Sequence, residues 1–317
     1  MVDQSPLVTV VIAAWNAEQT LARAIDSAVA QTIPVEVIVV DDASTDGTAA
    51  LADRLAAEAP AVQVLRQARN AGPSAARNRA ITESRAPWIA VLDADDRMAP
   101  DRLSILLETA RKTNADFVAD DLWKQAEGAP DDQRHRMLSD EMLGIVPLDA
   151  EAFIRGNLSA RHGGRRELGF LKPLMSRAFL AQHGLRYDPT IRLGEDFVLY
   201  AQALLRGARC VLTDPAGYVA TVRPGSLSGQ HPTEAHAHLI EADLAMLAWP
   251  DLPNGVRAAL HAHLLEQRKK WAWRRLIDAV RTSDMRAAMG CFWAPPQVGA
   301  DLLARLGREA VGRLGAR

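Results

Sequence analysis

Cysteine is almost absent from this chain, and its scarcity removes several classes of protein. Only Cys210 and Cys291 occur among the 317 residues, and they lie far apart in the sequence. Two distant cysteines form neither a disulfide framework nor a zinc-binding pattern, because both need several ligands or partners at short spacings. The scarcity indicates a reducing compartment, and we therefore expect a cytoplasmic location.

The chain also lacks long apolar runs and any large excess of charge. Nowhere are 18 consecutive residues apolar, and no basic stretch precedes the first apolar run. We therefore expect neither a transmembrane helix nor a secretory signal peptide. The formal net charge of -2 argues against a nucleic-acid partner, because binding to phosphates without regard to sequence needs a strong basic excess.

What the sequence does contain is an alternation of strand-like and helix-like segments up to residue 120. Apolar runs rich in β-branched residues predict strands at 8–14, 35–40, 62–65, 88–92 and 116–119. Helical spacing of apolar residues predicts helices at 17–30, 47–58, 74–84 and 101–113. Strands that are apolar on both faces and separated by helices predict an α/β fold, with a mostly parallel, Rossmann-like sheet and helices on both faces.

After residue 120 the alternation is lost. A polar segment at 126–136 predicts a surface loop, and helical spacing returns at 176–183 and 196–206. From about residue 233 the spacing is helical and is interrupted only by prolines. We therefore expect a first domain at 1–230 and a C-terminal helical region at 231–317.

Acidic clusters stand at the ends of the apolar segments. VIVVDDASTDGT at 37–48 and IAVLDADD at 89–96 each close a predicted strand, and LGED at 193–196 begins a later helix. A carboxylate beside packed apolar strands needs a cation, a proton or hydrogen bonds, and ligands bind beyond the carboxyl ends of parallel strands. The three carboxylates of Asp93, Asp95 and Asp96 lie within four residues and repel one another unless they share a divalent cation, and oxygen ligands suit Mg²⁺ or Mn²⁺.

Each of these groups also has a purely structural explanation. The residues after Asp42 can cap the next helix, and Glu195 with Asp196 can favour the dipole of the helix that they begin. Arg77, near the start of the third predicted helix, can meet a phosphate or lie on a solvated helix face. The VRPGSLSG segment at 222–229 offers an arginine, hydroxyls and glycines that suit a diphosphate.

Positive charge is concentrated near the C-terminus. Residues 257–317 contain 12 Lys or Arg and 5 Asp or Glu, a net charge of +7, which leaves -9 for the rest of the chain. The segment 264–280 interleaves Trp271 and Trp273 with basic residues, and this pattern fits a helix on an anionic membrane surface. The alternative is a helix that packs on the protein through its apolar stripe and exposes its basic face to solvent. The sequence alone leaves both interpretations open.

The order of the motifs resembles that of a known protein family. VTVVIAAWNAEQTLARAIDSAVAQ, VDDASTDGT, NAGPSAARNRA, VLDADD, FLKP and GED follow one another, between residues 7 and 228, as in a family 2 glycosyltransferase with the GT-A fold. The resemblance implies an inverting enzyme that uses a nucleotide sugar, usually uridine-linked, and a divalent metal ion. It further implies that 1–120 is the nucleotide-binding half of the domain and that 121–230 is the acceptor-binding half.

The resemblance also implies roles on the donor side. Asp42 would hold the uracil, Asn16 would lie near the nucleotide, and Asp93 would lie beside the ribose and the metal. Asp95 would be the direct ligand of Mn²⁺ or Mg²⁺. The nucleotide-sugar site implied in this way consists of Ala13, Asn16, Asp42, Arg77, Asp93, Ala94, Arg223 and Ser226.

On the acceptor side, the resemblance makes Asp196 the catalytic base. Glu195 would support the acceptor site, and Arg223 with Ser226 would close over the diphosphate. The implied mechanism is a single in-line displacement, in which Asp196 takes a proton from an acceptor hydroxyl as that oxygen attacks the anomeric carbon.

Within the family, three segments are most similar to enzymes that build succinoglycan-type exopolysaccharide. These segments are GPSAARNRAI, GFLKPLMSRAFL and IRLGEDFVLYAQAL. The similarity implies transfer of glucose from UDP-glucose to a lipid-linked oligosaccharide, with peripheral membrane contact through the basic C-terminal helices. Two alternatives stay open: a transferase of another cell-surface glycan that uses a different nucleotide sugar, and a non-catalytic nucleotide-sugar-binding protein.

Overall fold

The protein is described from a computed structural model, which covers residues 5–159, 167–223, 233–293 and 295–314. The chain divides into two compact units, Met1–Ser226 and Leu227–Arg317. None of the helices in the described ranges combines the length and the apolar composition that a membrane span requires.

Short strands and helices make up the first unit. Its described strands are β1 Val8–Ala14, β2 Val35–Asp41, β3 Val62–Arg66, β4 Trp88–Val91, β5 Arg97–Met98, β6 Phe117–Asp120, β7 Trp123–Ala126, β8 His135–Arg136, β9 Val146–Pro147, β10 Leu174–Ser176, β11 Cys210–Thr213 and β12 Tyr218–Val222. Its described helices are α1 Leu21–Val29, α2 Thr48–Glu58, α3 Pro73–Glu83, α4 Arg102–Thr113, α5 Ala150–Gly156, α6 Arg177–Gln182 and α7 Glu195–Leu205.

The central sheet has eight strands in the order β3-β2-β1-β4-β10-β6-β11-β9, and a smaller sheet has the order β5-β12-β7-β8. Strands β3, β2, β1 and β4 are mutually parallel. Strand β10 lies antiparallel between β4 and β6, and β11 returns parallel to β6. The mostly parallel sheet that the sequence predicts is therefore confirmed, with one antiparallel strand inserted in its middle.

Strands β1 and β2 are buried because most of their residues are apolar, whereas the edge strand β3, with Gln63 and Arg66, is partly exposed. In β1 and β2 almost every residue is inaccessible to solvent. The crossovers from β1 to β2 and from β2 to β3 run in one direction, whereas the crossover from β3 to β4 runs back past β1. Because such crossovers are right-handed, α1 and α2 cover one face and α3 covers the other.

The first five predicted strands and four predicted helices are all present, and their ends differ from the prediction by four residues or fewer. The sequence did not predict β10, and the expected helix at 176–183 is the shorter α6. The segment 126–136, predicted to be a loop, contributes β8 at its end. Strands of two or three residues are too short to show a two-residue period, so their partners in the sheet define them.

The second unit, within its described residues, is helical. It consists of α8 Thr233–Leu247, α9 Asn254–Arg281, α10 Met285–Gly290, a 3₁₀ turn Cys291–Trp293 and α11 Pro296–Leu314. Part of its core is an apolar cluster of small and branched side chains from α9, α10, the 3₁₀ turn and α11: Ala272, Leu276, Ala279, Ala288, Cys291, Val298 and Leu302. The C-terminal helical extension expected from the sequence is confirmed.

Candidate functional site

The predicted site residues follow three neighbouring parallel strands. Asn16 comes after β1, Asp42 after β2 and Asp93 after β4, and these strands are paired side by side. Parallel strands bring their carboxyl ends to one edge of the sheet, so the topology gathers residues that are far apart in sequence.

Asp42 is buried and almost fully hydrogen-bonded. Its Oδ1 accepts from Gln67 Nε2 at 2.7 Å and from the Ala71 N–H at 2.8 Å, and its Oδ2 accepts from the Gly72 N–H at 2.7 Å. Gly72 has φ +90, a conformation that favours glycine, and it stands directly before α3. A carboxylate has about four lone pairs, so one on Oδ2 remains for the predicted contact with uracil.

Asn16 joins two loops at the same edge of the sheet. Its backbone is left-handed, with φ 49; its Oδ1 accepts from the Thr45 N–H at 2.8 Å, and its own N–H donates to Ser44 Oγ at 3.0 Å. The neighbouring Trp15 is 48% exposed, and Ala13 is half-buried in β1. The exposed indole offers an apolar face beside the loop that Asn16 fixes.

Arg77 forms the centre of a buried charge cluster. Its guanidinium contacts Asp93 Oδ1 at 2.8 Å, Glu195 Oε1 at 3.0 Å and Asp196 Oδ1 at 3.3 Å, and it lies over the ring of Tyr187 at 5.2 Å. The solvated helix face offered as an alternative for Arg77 is wrong, because the residue is buried. The predicted contact with a phosphate stays a prediction, since three carboxylates already engage this cation.

Lys172 is a site residue that was not predicted from the sequence. It is buried, and its Nζ lies 2.6 Å from Asp196 Oδ2 and 3.1 Å from Asp93 Oδ2. Burial lowers the pKa of Lys172, but the charges of Asp196 and Asp93 outweigh burial and the net shift is upward. The signal was a lysine between apolar residues in GFLKPLM, because a buried lysine needs an anionic partner.

Both oxygens of Asp93 are therefore occupied by cations. Burial raises the pKa of Asp93, but the charges of Lys172 and Arg77 outweigh it and lower that pKa to about 2. The Asp93 carboxylate links the end of β4 to Asp196 on α7 through these two cations. Asp196 also accepts a hydrogen bond from the Tyr200 hydroxyl at 3.3 Å, so its orientation is fixed from three sides.

The remaining acids of the DADD run divide into two kinds. Asp96 is buried and accepts from the Tyr218 hydroxyl at 2.7 Å and from the Thr221 N–H at 2.8 Å, so it anchors β12. Burial and the charges of Asp93 and Asp95 raise its pKa to about 8. Asp95 is half-buried, and Ala94, between Asp93 and Asp95, is buried.

The Asp95 carboxylate differs from that of Asp93 in having no ion pair with a cationic side chain among the described residues. Among the described residues no other side chain donates a hydrogen bond to it, and burial and the charge of Asp93 raise its pKa, against an opposing effect of Arg223. No group of three or more acidic, histidine or cysteine side chains suited to a metal ion occurs within the described ranges. The role of Asp95 as a metal ligand stays a prediction, and a single carboxylate of this kind suits an ion such as Mg²⁺ that also binds phosphate oxygens.

Arg223 lies immediately after β12, and its Nε is 3.0 Å from Glu127 Oε1. Burial raises the pKa of Asp95, and the positive charge of Arg223 opposes that shift. Ser226, the other residue predicted to close over a diphosphate, lies outside the described residues. The geometry thus brings together Asp93, Glu195 and Asp196 around two buried cations, with Asp95 next to Asp93 in the chain and with Asn16 and Asp42 just after the neighbouring strands.

Proteins of similar sequence include two from Rhizobium meliloti strain 1021. A succinoglycan biosynthesis protein, ExoU, is 42% identical over 285 residues, which cover 89% of this chain and 82% of that protein. A second succinoglycan biosynthesis protein, ExoO, is 36% identical over 297 residues, which cover 93% of this chain and 83% of that protein.

Solved structures share the fold at low sequence identity. The S. aureus TarS fragment in complex with UDP-GlcNAc has a TM-score of 0.66 at 17% identity, covering 92% of this chain and 91% of that chain. The mannosyltransferase PcManGT from Pyrobaculum calidifontis, in complex with GDP-Man and Mn²⁺, has a TM-score of 0.58 at 18% identity, covering 94% of this chain and 85% of that chain.

These likenesses, together with the strand order, confirm the GT-A fold. The model of the glycosyl transferase family 2 matches residues 9–168, which include β1 to β4 and every residue of the acidic run after β4. With that match and the 42% identity to a relative over most of its length, the chain belongs to glycosyl transferase family 2.

Proposed function

We propose that this glycosyltransferase is an inverting, metal-dependent enzyme that moves a hexose, glucose, from UDP-glucose to a hydroxyl of a saccharide. The acceptor we propose is a lipid-linked exopolysaccharide repeat unit. The relatives named as succinoglycan biosynthesis proteins support the acceptor class, and the TarS complex with UDP-GlcNAc supports a UDP-sugar donor. One observation carries the proposal: the Asp93 carboxylate is tied through Lys172 and Arg77 to Asp196, while Asp95 beside it has no such ion pair with any described residue.

In the proposed reaction Asp196 is the general base. It takes the proton of the acceptor hydroxyl while the oxygen bonds to the anomeric carbon, and the bond from that carbon to the diphosphate breaks, so that UDP leaves with the electron pair. One displacement inverts the anomeric configuration. Lys172 and Tyr200 hold the Asp196 carboxylate in place. Glu195, the residue directly before Asp196 in α7, would support the acceptor.

Donor binding is proposed for the strand ends of the parallel half. Asp42 would accept the imide hydrogen of uracil through its remaining lone pair, and Asn16 would fix the loop that carries the exposed Trp15. Arg223 and Ser226 would close over the diphosphate, and Arg77 would add positive charge below it. These are the residues of the site that the family resemblance implies.

Metal binding is proposed for Asp95, with Asp93 as a neighbour that is already neutralised by two cations. A bound Mn²⁺ or Mg²⁺ would offset the charge that develops on the departing diphosphate. A location in the cytoplasm, with peripheral contact to the inner face of the membrane, is part of the same proposal because the acceptor is proposed to be lipid-linked.

Thermal unfolding in the presence of nucleotide sugars tests donor and metal together. With Mn²⁺, UDP-glucose is expected to stabilise the protein more than UDP-GlcNAc or GDP-Man does, and a ligand at 100 times its Kd contributes about 2.7 kcal/mol. Asp95→Asn is expected to lose the part of this stabilisation that depends on Mn²⁺. Asp132→Asn, the same change at an exposed position, is the control and should behave like the unchanged protein.

Two results would count against the proposal. If no nucleotide sugar stabilises the protein with Mn²⁺, the donor class is wrong. If Asp95→Asn keeps the full effect of Mn²⁺, the metal is held elsewhere.

A further inference from the structure

The tryptophans that the sequence offered for membrane contact are packed inside the C-terminal unit. Trp271 and Trp273 are partly buried against the apolar cluster of α9, α10 and α11. The guanidinium of Arg275 lies 5.0 Å from the ring centroid of Trp271, and that of Arg305 lies 5.7 Å from that of Trp273. Both rings are partly covered within the unit, and each keeps a smaller exposed fraction than the large apolar side chains of the neighbouring segment.

A different part of the same unit exposes its large apolar side chains. Between the end of α9 and the 3₁₀ turn, Trp293 is 89% exposed, Met285 69% and Met289 64%. Met285 and Met289 are four residues apart in α10, so they lie on one face of that helix. Val280 and Phe292 are exposed as well. We call residues 280–293 the apolar tip.

The apolar tip packs against the rest of its unit through its small residues, which leaves its bulky residues exposed. Ala288 and Cys291 are buried in the cluster with Val298 and Leu302, which fixes α10 and the 3₁₀ turn against α9 and α11. The bulky residues Met285, Met289 and Trp293 of the same segment stay exposed. Apolar residues crowded together on a surface, unlike scattered ones, mark a site of interaction.

The charge around the apolar tip is strongly positive. Residues 268–293 contain seven Lys or Arg and two Asp. The carboxylate of Asp284 accepts from the Ala287 N–H at 2.9 Å, and that of Asp278 accepts from the Thr233 hydroxyl at 2.5 Å. Arg281 and Arg286 lie within the apolar tip and are exposed.

We propose that the apolar tip inserts into the interface of an anionic phospholipid bilayer, with Trp293 and Met289 among the headgroups and Arg281 and Arg286 against lipid phosphates. Aromatic and flexible apolar side chains beside arginines match this surface, because the interface offers apolar depth and negative charge together. The positive rim favours a bilayer over a second copy of the chain, whose own rim would carry the same charge.

This inference deepens the proposed peripheral location by naming the surface, and it rests on that part of the proposed function. Vesicle binding is to be measured on the full chain by flotation with two kinds of vesicle. One kind contains phosphatidylcholine alone, and the other also contains roughly 30% of the anionic lipid phosphatidylglycerol. Binding is expected only to the anionic vesicles, and it should weaken as salt is raised.

The decisive variant is the double replacement Met289→Ser with Trp293→Ser, which is expected to lower the bound fraction at least about tenfold because the inserted apolar area is lost. Met142→Ser is the matched control, since Met142 is 80% exposed in the first unit and should leave binding unchanged. Arg281→Gln with Arg286→Gln should lower binding to anionic vesicles and reduce its dependence on salt. Retained thermal unfolding would show that each variant is folded.

Two results would overturn the inference. One is full vesicle binding by the Met289→Ser, Trp293→Ser variant. The other is that the unchanged protein does not bind anionic vesicles but forms a dimer, and that the Met289→Ser, Trp293→Ser variant is a monomer. A second copy of the chain would then occupy the apolar tip. The vesicle assay contains no donor or acceptor, and nucleotide binding is measured without vesicles, so either proposal can fail while the other stands.

Discussion

Replacing Asp196 with asparagine is expected to lower the rate of sugar transfer by about 10²- to 10⁴-fold while UDP binding is retained. Asparagine keeps the shape of the side chain and can accept from Lys172, but it cannot take the proton of the acceptor hydroxyl. The buried cluster tolerates the change, because Arg77 and Lys172 then face the two carboxylates of Asp93 and Glu195. Calorimetric titration with UDP and Mn²⁺, beside steady-state kinetics, measures both effects.

Glu195→Gln removes the same charge from the neighbouring position and is the natural comparison. Glu195 contacts Arg77 but has no recorded contact with Lys172 among the described residues. If Asp196 is the base, Glu195→Gln should alter the KM of the acceptor more than kcat. An Asp196→Asn enzyme with nearly unchanged kcat would remove Asp196 from the proton transfer, and an equal loss of UDP affinity would reassign it to donor binding.

The largest effect on stability is expected from Arg102→Met, at about 3 to 5 kcal/mol of lost free energy of unfolding. Arg102 and Asp120 form an ion pair that is fully inaccessible to solvent, with Nη2 2.6 Å from Asp120 Oδ1. The same Nη2 donates to the Lys172 carbonyl at 2.6 Å, and the guanidinium lies 4.9 Å from the centroid of the Tyr218 ring. Methionine fills much of the volume but leaves the Asp120 carboxylate buried without its cation.

Urea unfolding followed by circular dichroism measures this loss, and Arg54→Met is the matched control. Arg54 pairs with Glu58 at 3.7 Å on the surface of α2, and both side chains are exposed. The control is expected to change the free energy of unfolding by less than about 1 kcal/mol, because exposed ion pairs contribute little. Equal effects of the two substitutions would show that the buried pair is not what stabilises this part of the sheet.

The parallel half of the fold was predictable because its signals are local. Strands β1, β2 and β4 are mostly apolar, β3 has apolar residues at Val62, Val64 and Leu65, and helical spacing follows each of them, so order and approximate ends could be read from spacing alone. The convergence of Asn16, Asp42 and Asp93 then follows from topology. Strand β10 was not predictable in this way: three residues show no period, and pairing with strands more than fifty residues earlier in the chain defines it.

The site was predictable in its residues more than in its contacts. The acids after β2 and β4 and at the start of α7 were identified, but the pairing of Lys172 with Asp93 and Asp196 joins three separate segments and has no local signature. Backbone N–H groups of Ala71 and Gly72 complete the shell of Asp42, and such groups are invisible in a sequence. The inward packing of Trp271 and Trp273 likewise depends on α11, which lies some thirty residues further on.

The pairing of β10 with β6 brings the two ends of a long excursion of the chain together. Leu174 pairs with Val118 and Met175 with Phe117, so the chain comes back beside Asp120 just before β10, although β9 lies between them in sequence and joins the same sheet at its edge through β11. Arg102 binds both ends of this excursion, and the cost of closing a loop rises only slowly with its length. A change of length in a surface loop of this excursion is therefore expected to leave Asp93 and Lys172 in place, as long as Arg102 keeps its contacts with Asp120 and with the Lys172 carbonyl.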